Sequence, residues 1–243
     1  MLINPKKEDA FFSIPHNGLA MLAAIINKAG YEVLVTDYLF MRGEQKSVAY
    51  FIDTFKPDII GVSMYTNNAR ECENIIKSIR KISNEVPIIA GGPHATLYYE
   101  ILKNDSNIDY IFRGEAELTI LNVIKSAKRQ KNAQIIETVE MLDLSDLPYP
   151  DFKAFYRWED IRGYPIMTSR GCPNLCTFCA VRPLAFRRWR ARDPEECIKE
   201  LEYAKQNLSH HLVVYVLDDN PTVNKERFKQ FLRFYSKKIG NQL

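Results

Sequence analysis

Through residue 137 the sequence alternates short apolar runs with amphipathic segments, which is the pattern of a parallel β-sheet flanked by helices. Each apolar run has the length of a single buried strand, and several are followed by small or polar residues. The runs that we predict to be strands are Met1 to Asn4, Tyr31 to Thr36, Asp58 to Met64, Val86 to Ala90 and Asp109 to Phe112.

Two of the amphipathic segments carry apolar residues at helical spacing. One stripe consists of Leu19, Leu22, Ala23 and Ile26, and the Gly30 that follows suits the C-terminal cap of a helix. The other stripe consists of Cys72, Ile75, Ile76 and Ile79. Cys72 is therefore predicted to be a core residue rather than a reactive thiol.

The residues that follow the predicted strands suggest a ligand site. In an open parallel sheet, ligands bind beyond the carboxyl ends of the strands, and paired glycines let the backbone approach a bulky ligand closely. Ordinary turn chemistry would also explain each of these loops taken alone. The segments that would form a single crevice are Asn4-Pro5, Ser63-Met64-Tyr65-Thr66, Gly91-Gly92-Pro93-His94 and Gly114-Glu115.

The alternation is interrupted by a connector and then resumes. From Leu142 to Asp151 the apolar residues do not recur every 2 or 3.6 positions, and prolines stiffen the segment. The elements predicted after it are a strand from Tyr164 to Ser169, a helix opening at Pro194 after an Asp193 cap, a strand from Leu212 to Leu217 and a helix from about Val223 to Lys238. The apolar, β-branched run from Leu212 to Leu217 is of the kind that is buried on both faces.

The charge balance is too weak to indicate a nucleic-acid partner, since 33 Lys and Arg against 30 Asp and Glu give a net charge of +3 over 243 residues. The one local excess runs from Arg187 to Arg192, either as a solvated loop or in contact with an anionic cofactor or substrate. No apolar run of about 18 residues is present, so no membrane span is expected. Because Met1 leads directly into a strand-like segment without a charged leader, we expect a cytoplasmic protein with reduced thiols.

Three of the five cysteines, Cys172, Cys176 and Cys179, fall within eight residues of a segment without helix or strand periodicity. Thiolates at this spacing can wrap one face of a cubane iron-sulfur cluster. Such clusters usually take four cysteines, so with three ligands one iron would keep an open coordination position. This is the interpretation that we favour for the loop.

A structural zinc site and a disulfide are the alternatives for these cysteines. Zinc normally takes four closed ligands, and the adjacent His210 and His211 lack the spacing to complete such a set. Cys197 shares a helical stripe with Leu201, Ala204 and Leu208, so it is predicted to belong to the core. A disulfide is not expected without a secretion signal.

The residues around the three cysteines resemble a family signature. Arg170-Gly171-Cys172-Pro173, then Cys176, then Phe178 directly before Cys179, is similar to the C-x-x-x-C-x-aromatic-C signature of radical S-adenosylmethionine (SAM) enzymes. The resemblance implies that the cysteines hold a 4Fe-4S cluster whose fourth iron is chelated by the amino and carboxylate groups of SAM. An electron from the cluster would then break a carbon-sulfur bond of SAM, giving methionine and a 5'-deoxyadenosyl radical, with Phe178 near the adenine.

Asp218 and Asp219 follow the predicted strand Leu212 to Leu217. An ammonium group such as that of SAM needs hydrogen-bond acceptors and a compensating charge. The resembling family places its SAM amino-group motif at this position, which implies a SAM contact for one carboxylate of the pair without saying which. Capping of the following helix is the alternative role.

The first half of the chain is similar to the N-terminal cobalamin-binding domain of cobalamin-dependent radical SAM proteins. The motifs that carry the similarity are Pro15-His16-Asn17-Gly18-Leu19, Pro57 to Ser63, Gly91-Gly92-Pro93-His94-Ala95-Thr96 and Arg113-Gly114-Glu115-Ala116-Glu117. The resemblance implies that the strand-end residues are the cobalamin contacts: Ser63, Met64, Tyr65, Thr66, Gly91, Gly92, His94, Gly114 and Glu115.

One feature of other cobalamin proteins is missing from the sequence. The Asp-x-His-x-x-Gly loop, whose histidine ligates cobalt from below in cobalamin-dependent mutases, does not occur. Any bound cobalt is therefore expected to lack a histidine ligand from that loop. His94 is interpreted as a loop contact rather than as an axial ligand, and His16 as a residue near a helix start.

The resemblance implies an α/β fold with a Rossmann-like, doubly wound parallel sheet, followed by the first two β/α units of a radical SAM partial TIM barrel. The expected organisation is a cobalamin-binding domain over residues 1–137, a linker over 138–163 and an incomplete radical SAM core over 164–243. Since the family's barrel has about six units, we expect the N-terminal part of a longer enzyme or one product of a split gene, inactive alone.

The implied function is reductive cleavage of SAM by the cluster, with cobalamin, for methyl transfer to an unactivated carbon or phosphorus, or for a radical rearrangement or ring closure in biosynthesis. The implied partners are a small-molecule substrate, a reductant such as flavodoxin or ferredoxin, and a second chain that completes the barrel. The alternative function is that of a non-catalytic carrier of cobalamin or an iron-sulfur cluster, or of a truncated remnant.

Overall fold

The computed structural model describes residues 1–5, 14–38, 46–138, 140–185, 188–208 and 213–240. The chain divides into two compact units. The first comprises Met1–Met141 with Pro150–Tyr156, and the second comprises Leu142–Tyr149 with Arg157–Leu243. The predicted connector contributes residues to both units, and the predicted domain limits stay predictions.

A six-stranded sheet, parallel throughout, forms the centre of the first unit. Its strands are β1 (Leu2–Asn4), β2 (Val35–Asp37), β3 (Ile60–Ser63), β4 (Ile88–Gly91), β5 (Tyr110–Arg113) and β6 (Gln134–Glu137). The five predicted strands are confirmed with different bounds, since β2, β4 and β5 each end one residue later than predicted. The sixth, β6, was not predicted because this strand lies at the sheet edge and is mostly exposed, so its sequence carries no continuous apolar run.

The strand order is β2-β1-β3-β4-β5-β6. The chain therefore leaves β1 toward one side of the sheet to form β2 and returns to the other side to form β3. In doubly wound sheets, the carboxyl ends of the two strands that flank such a reversal open a crevice in which ligands bind. Here that crevice lies at the ends of β1 and β3, and the predicted α/β fold class is confirmed.

Five helices pack on this sheet: α1 (Asn17–Lys28), α2 (Val48–Phe55), α3 (Ala69–Ile82), α4 (Pro93–Leu102) and α5 (Ile120–Ser126). Gly30 follows α1 with φ of 87°, and the amides of Gly30 and Tyr31 donate to carbonyls of the last helical turn, as in a Schellman cap. Cys72 on α3 is fully buried, so its prediction as a core residue is confirmed.

The second unit contains two separate strand pairs. Its elements are β7 (Gly163–Ile166), β8 (Ser169–Gly171), α6 (Val181–Leu184), β9 (Trp189–Ala191), α7 (Pro194–Asn207), β10 (Val213–Val216) and α8 (Lys225–Lys238). β10 pairs in parallel with β7, and β8 pairs in antiparallel with β9. On α7, the Asp193 side chain accepts from the amide of Glu195 as predicted, and Cys197 is fully buried.

Two strand predictions in this unit need correction. The strand expected from Tyr164 to Ser169 is divided, because β7 ends at Ile166 and the chain re-enters a different ladder at Ser169. The strand ending at Leu217 is not buried on both faces, since Val213 is 57% and Val216 38% exposed. Among the described residues β10 pairs with β7 alone, so one edge and much of its surface remain uncovered. Leu212 lies outside the described residues.

The basic run also differs from a solvated loop. Trp189 to Ala191 form β9, and Arg192 is buried in an ion pair with Glu200 of α7. Arg187 lies outside the described residues. Within the described part of the chain, no helix combines the length and the apolar character that crossing a bilayer requires.

Candidate functional sites

The loops after β3, β4 and β5 are joined by hydrogen bonds at the carboxyl edge of the first sheet. The amide of Met64 donates to the carbonyl of Gly91 at 2.8 Å, and the amide of His94 donates to the carbonyl of Met64 at 3.0 Å. The amide of Gly114 donates to Thr96 Oγ1 on α4 at 3.1 Å. The structure therefore brings the predicted loops together, and Glu115 follows them, half-buried.

The conformation of Gly92 is set by the packing of these loops. Its φ is 93°, and a Cβ there would lie 2.9 Å from the carbonyl oxygen of Met64. No other residue fits this position without moving the end of β3. Turn chemistry thus accounts for Gly92, with or without a ligand.

His94 is held by its own loop. Its Nδ1 lies 3.1 Å from Thr66 Oγ1, and its ring packs against that of Tyr98 with centroids 4.6 Å apart. Burial lowers the pKa of His94, and the charge of Glu73 opposes this shift in part. A neutral imidazole with its Nδ1 so engaged acts here as a structural contact between loops.

A polar cluster lies at the ends of β1, β2 and β3, where His16 and Asp37, which the sequence patterns did not place in the crevice, join the predicted crevice residues. His16 Nε2 lies 2.9 Å from Ser63 Oγ and 3.3 Å from the hydroxyl of Tyr65. The backbone amide of His16 donates to Asp37 Oδ2 at 2.9 Å, and Asn4 Nδ2 donates to Asp37 Oδ1 at 2.8 Å. The sequence signal that could have found this cluster is the position of Asn4 and Asp37, each of which is the last residue of a strand.

The tautomer of His16 excludes nucleophilic catalysis by Ser63 through this pair. His16 is the N-cap of α1, as its interpretation as a helix-start residue predicted, and its Nδ1 accepts from the amide of Leu19 at 3.2 Å. Because Nδ1 is an acceptor, Nε2 carries the proton and donates to Ser63 or Tyr65. Burial, together with the charge of Asp37, raises the pKa of Tyr65, which therefore remains a neutral hydroxyl.

Three buried polar atoms of this region have no hydrogen-bond partner among the described residues. They are Asn4 Oδ1, Asn17 Oδ1 and Thr36 Oγ1. A buried polar atom without a partner is destabilising, and such atoms are normally satisfied by water or a ligand. The crevice at the strand reversal therefore contains polar atoms whose hydrogen bonds no described residue satisfies.

In the second unit, the β8-β9 pair forms a stem that closes the cysteine loop. Gly171 on β8 pairs with Trp189 on β9, so the two ends of the loop lie side by side. Gly171 has φ of 90°, and a Cβ there would overlap the carbonyl oxygen of Arg188. The stem thus admits only glycine immediately before Cys172.

The loop presents its cysteines as free thiols. Cys176 is exposed, Cys172 and Cys179 are half-buried, and Phe178 is 91% exposed. Within the described parts of the chain, no three His, Cys, Asp or Glu side chains are gathered as ligands of a metal ion. A cluster would contact the cysteines through different irons, and therefore at wider spacing than the ligands of one ion.

The acidic pair after β10 is bonded to the chain that leads into this loop. Asp218 accepts from the amide and the hydroxyl of Thr168, both at 2.7 Å, and from the hydroxyl of Ser169 at 2.5 Å. Asp219 Oδ2 accepts from the amide of Gly171 at 2.8 Å. The alternative of helix capping is wrong for both, because Asn224 caps α8.

Arg227 of α8 completes the contacts of Thr168. Its Nη2 donates to the carbonyl oxygens of Thr168 and Arg192, both at 2.6 Å, and its Nη1 lies 3.2 Å from Thr168 Oγ1. Sequence reasoning missed Thr168 and Arg227, because the two residues are 59 positions apart and neither belongs to a motif.

The two halves of the sequence match known domain families. Residues 9–124 match the B12 binding domain, and residues 166–242 match the Radical SAM superfamily. The chain combines a B12-binding domain with a radical SAM domain. Apart from Asn4 and Pro5, the residues of the crevice and the polar cluster lie within the first matched segment, and the cysteine loop lies within the second.

Curated relatives share this two-domain sequence. An uncharacterised methyltransferase of Pyrococcus horikoshii is 26% identical over 252 residues, which cover 93% of this chain and 54% of the relative. The anaerobic magnesium-protoporphyrin IX monomethyl ester cyclase of Rubrivivax gelatinosus is 26% identical over 245 residues, which cover 89% of this chain and 43% of the relative. The chain therefore spans about half the length of these relatives.

Solved structures share the fold of this chain. The methyltransferase TsrM of Kitasatospora setae, solved with tryptophan and a SAM analogue, aligns with a TM-score of 0.72 and 21% identity over 98% of this chain and 50% of its own. OxsB, solved with aqua-cobalamin and SAM, aligns with a TM-score of 0.66 and 20% identity over 95% of this chain and 35% of its own.

Proposed function

We propose that this chain provides the cobalamin-binding and cluster-binding parts of a radical SAM enzyme that performs methyl transfer or a radical rearrangement or ring closure. The proposal rests on the cysteine loop and its three free thiols. The loop follows the β8-β9 stem, and residues after β10 form hydrogen bonds with that stem and with the chain that leads into it. Methyltransferases and a cyclase are among the relatives, which supports these two reaction classes without separating them.

The donor set of the loop fits a 4Fe-4S cluster. Cys172, Cys176 and Cys179 would hold three irons and leave the fourth for SAM. When bound, the cluster supplies one electron for reductive cleavage of a carbon-sulfur bond of SAM. The stem orients Cys172, and Phe178 offers an apolar surface for the adenine.

For the ammonium group of SAM, we assign Asp219 rather than Asp218. All the described hydrogen bonds of Asp219 go to Oδ2, which leaves Oδ1 as an acceptor on an exposed side chain. Asp218 already uses both oxygens within its own unit. A cation at Asp219 would gain a charge-assisted hydrogen bond without breaking the stem.

For cobalamin, the unpartnered Asn4 Oδ1, Asn17 Oδ1 and Thr36 Oγ1 fit a ligand with many amide groups. The proposed contacts remain those of the strand-end loops, and Ser63 and Tyr65 present hydroxyls there beside His16. Cobalamin would supply a carrier for a methyl group. We assign no axial histidine, in keeping with the interpretation of His94 as a contact between loops.

The activity of the whole protein requires more than these two units. The exposed β10 edge and the half-length match to relatives support a barrel completed by further polypeptide, either continuous with this chain or separate. We propose a small-molecule substrate, a reductant such as flavodoxin or ferredoxin, and a cytoplasmic location in which the thiols stay reduced.

Anaerobic reconstitution with iron, sulfide and hydroxocobalamin, followed by electron paramagnetic resonance (EPR) of the reduced protein, tests this proposal. A cluster signal that changes on adding SAM, with bound cobalamin after gel filtration, is the expected result. A cluster and cobalamin without 5'-deoxyadenosine formation, even with the missing barrel supplied, would favour the carrier function. Stoichiometric zinc without sulfide would overturn the cluster assignment.

A further inference from the structure

Three consecutive residues after β10, beginning at Asp218, form hydrogen bonds with the start of the cysteine loop in register. The last pair of the β7-β10 ladder is Ile166 with Val216, so the chains run alongside each other beyond it. Asp218 then bonds to Thr168 and Ser169, and Asp219 bonds to Gly171. The next residue in this series is Asn220, whose Nδ2 lies 3.7 Å from Cys172 Sγ.

The orientation of the Asn220 amide is determined by its other contacts. Its Oδ1 accepts from the amide of Thr222 at 3.2 Å and from the hydroxyl of Thr222 at 2.9 Å, forming an Asx turn. Because both donors require the oxygen on that side, the NH2 group faces the sulfur. Asn220 has no capping role, since Asn224 begins α8.

We propose that Asn220 is a positioning residue that donates an N–H···S hydrogen bond to the Cys172 thiolate and raises the reduction potential of the bound cluster. The inference rests on the proposed function in one respect, namely that Cys172 binds the cluster. Reduction adds an electron whose charge is shared with the thiolate sulfurs. A donor at one sulfur therefore stabilises the reduced cluster more than the oxidised one.

The test is a potentiometric EPR titration of the reconstituted 243-residue chain and of an Asn220→Leu variant, which keeps the side-chain size but removes the donor. We expect the variant to bind a full cluster and to titrate at a more negative potential. A tenfold fall in the ratio of reduced to oxidised cluster at fixed ambient potential, about 59 mV for one electron, is the expected size.

Two further variants make the result specific. Asn220→Asp keeps the acceptor for Thr222 but has no N–H, and it is expected to lower the potential at least as much, which keeps the test valid if the leucine variant fails to fold. Asn207→Leu is the matched control, because among the described residues its side-chain amide donates to Tyr203 alone, at the end of α7. The potential of this variant should equal that of the parent.

Equal potentials for the parent, Asn220→Leu and Asn220→Asp would overturn the inference while leaving the cluster assignment intact. Absence of a cluster from the parent chain would instead contradict the proposed function. A fall in potential for Asn207→Leu equal to that for Asn220→Leu would also overturn the inference, because the shift would then follow from general loosening of the unit.

Discussion

Asp218 accepts hydrogen bonds from both the amide and the hydroxyl of Thr168, a fully buried residue four positions before the first cysteine of the loop. Thr168 lies in the gap between β7 and β8, where the chain leaves one ladder before joining the other. The carboxylate accepts from the amide of Thr168, whose carbonyl accepts from the amide of Arg192 at 3.0 Å. The start of the cysteine loop is thus held by the Asp218 side chain in addition to the β8-β9 pair.

Removal of this carboxylate should destabilise the second unit. Asp218→Ala leaves the amide and hydroxyl of Thr168 without their charged acceptor, at a cost of about 3 kcal/mol. Both tryptophans, Trp158 and Trp189, lie in this unit, so fluorescence during urea unfolding reports on it. Asp160→Ala, which among the described residues breaks a surface ion pair with Arg157, should leave the midpoint unchanged. Equal midpoints for the two variants would contradict the prediction.

Substitution by alanine should destabilise the protein more at Gly171 than at Gly30, although the two glycines have similar φ angles. Gly171 and Gly30 have φ of 90° and 87°, but a Cβ overlaps the Arg188 carbonyl at Gly171 and meets nothing within 4 Å at Gly30. Gly30→Ala should therefore cost only the conformational term of about 1 to 2 kcal/mol, whereas Gly171→Ala should cost more.

Urea unfolding provides the comparison, with circular dichroism for Gly30→Ala in the first unit and tryptophan fluorescence for Gly171→Ala in the second. Reconstituted cluster content should also fall for Gly171→Ala and remain that of the parent for Gly30→Ala. Similar costs and equal cluster contents would show that the overlap with Arg188 is relieved by a small backbone movement.

The five cysteines should separate into two groups when each is replaced by alanine. Cys176→Ala should abolish the brown absorbance of the reconstituted cluster, because two thiolates cannot hold three irons. Cys72→Ala and Cys197→Ala should retain it, since both thiols are fully buried on helices. Iron and sulfide analysis beside the absorption spectrum checks this. Loss of the cluster from Cys197→Ala would indicate a four-cysteine site.

The buried thiol of Cys72 should make the first unit less stable at high pH. Burial raises the pKa of this thiol from 9.0 to about 12, so the unfolded chain releases the proton at lower pH than the folded one. The contribution to stability is complete below pH 9 and is lost as the pH rises from 9 toward 12, at about 1.4 kcal/mol per pH unit.

Urea unfolding of the parent and of Cys72→Ala, followed by circular dichroism between pH 8 and pH 10.5, isolates this effect from other titrating groups. The difference in unfolding free energy between the two proteins should narrow above pH 9. A constant difference across this range would mean that the thiol titrates alike in both states.

Much of the fold was predictable because apolar periodicity is a local property of the chain. The buried strands β1 to β5 and the stripe around Cys72 are examples, and the cysteine spacing likewise indicated the chemistry of the loop. The strands that escaped prediction, β6 and β9, are at most half-buried, so their sequences need no apolar run. The expectation that β10 is buried on both faces was also wrong, because the exposure of a strand depends on the rest of the fold.

The sequence by itself determined the type of each buried element and the set of thiols, because both depend on residues close together along the chain. Only the tertiary structure decided the different hydrogen-bond partners of Asp218, Asp219 and Asn220, which are adjacent and chemically similar. These partners depend on which residue of the stem each one faces, and that follows from the β7-β10 register, which pairs residues about 50 positions apart. Hydrogen bonds between residues so far apart in the sequence depend on how the elements pack, and no local sequence pattern predicts that packing.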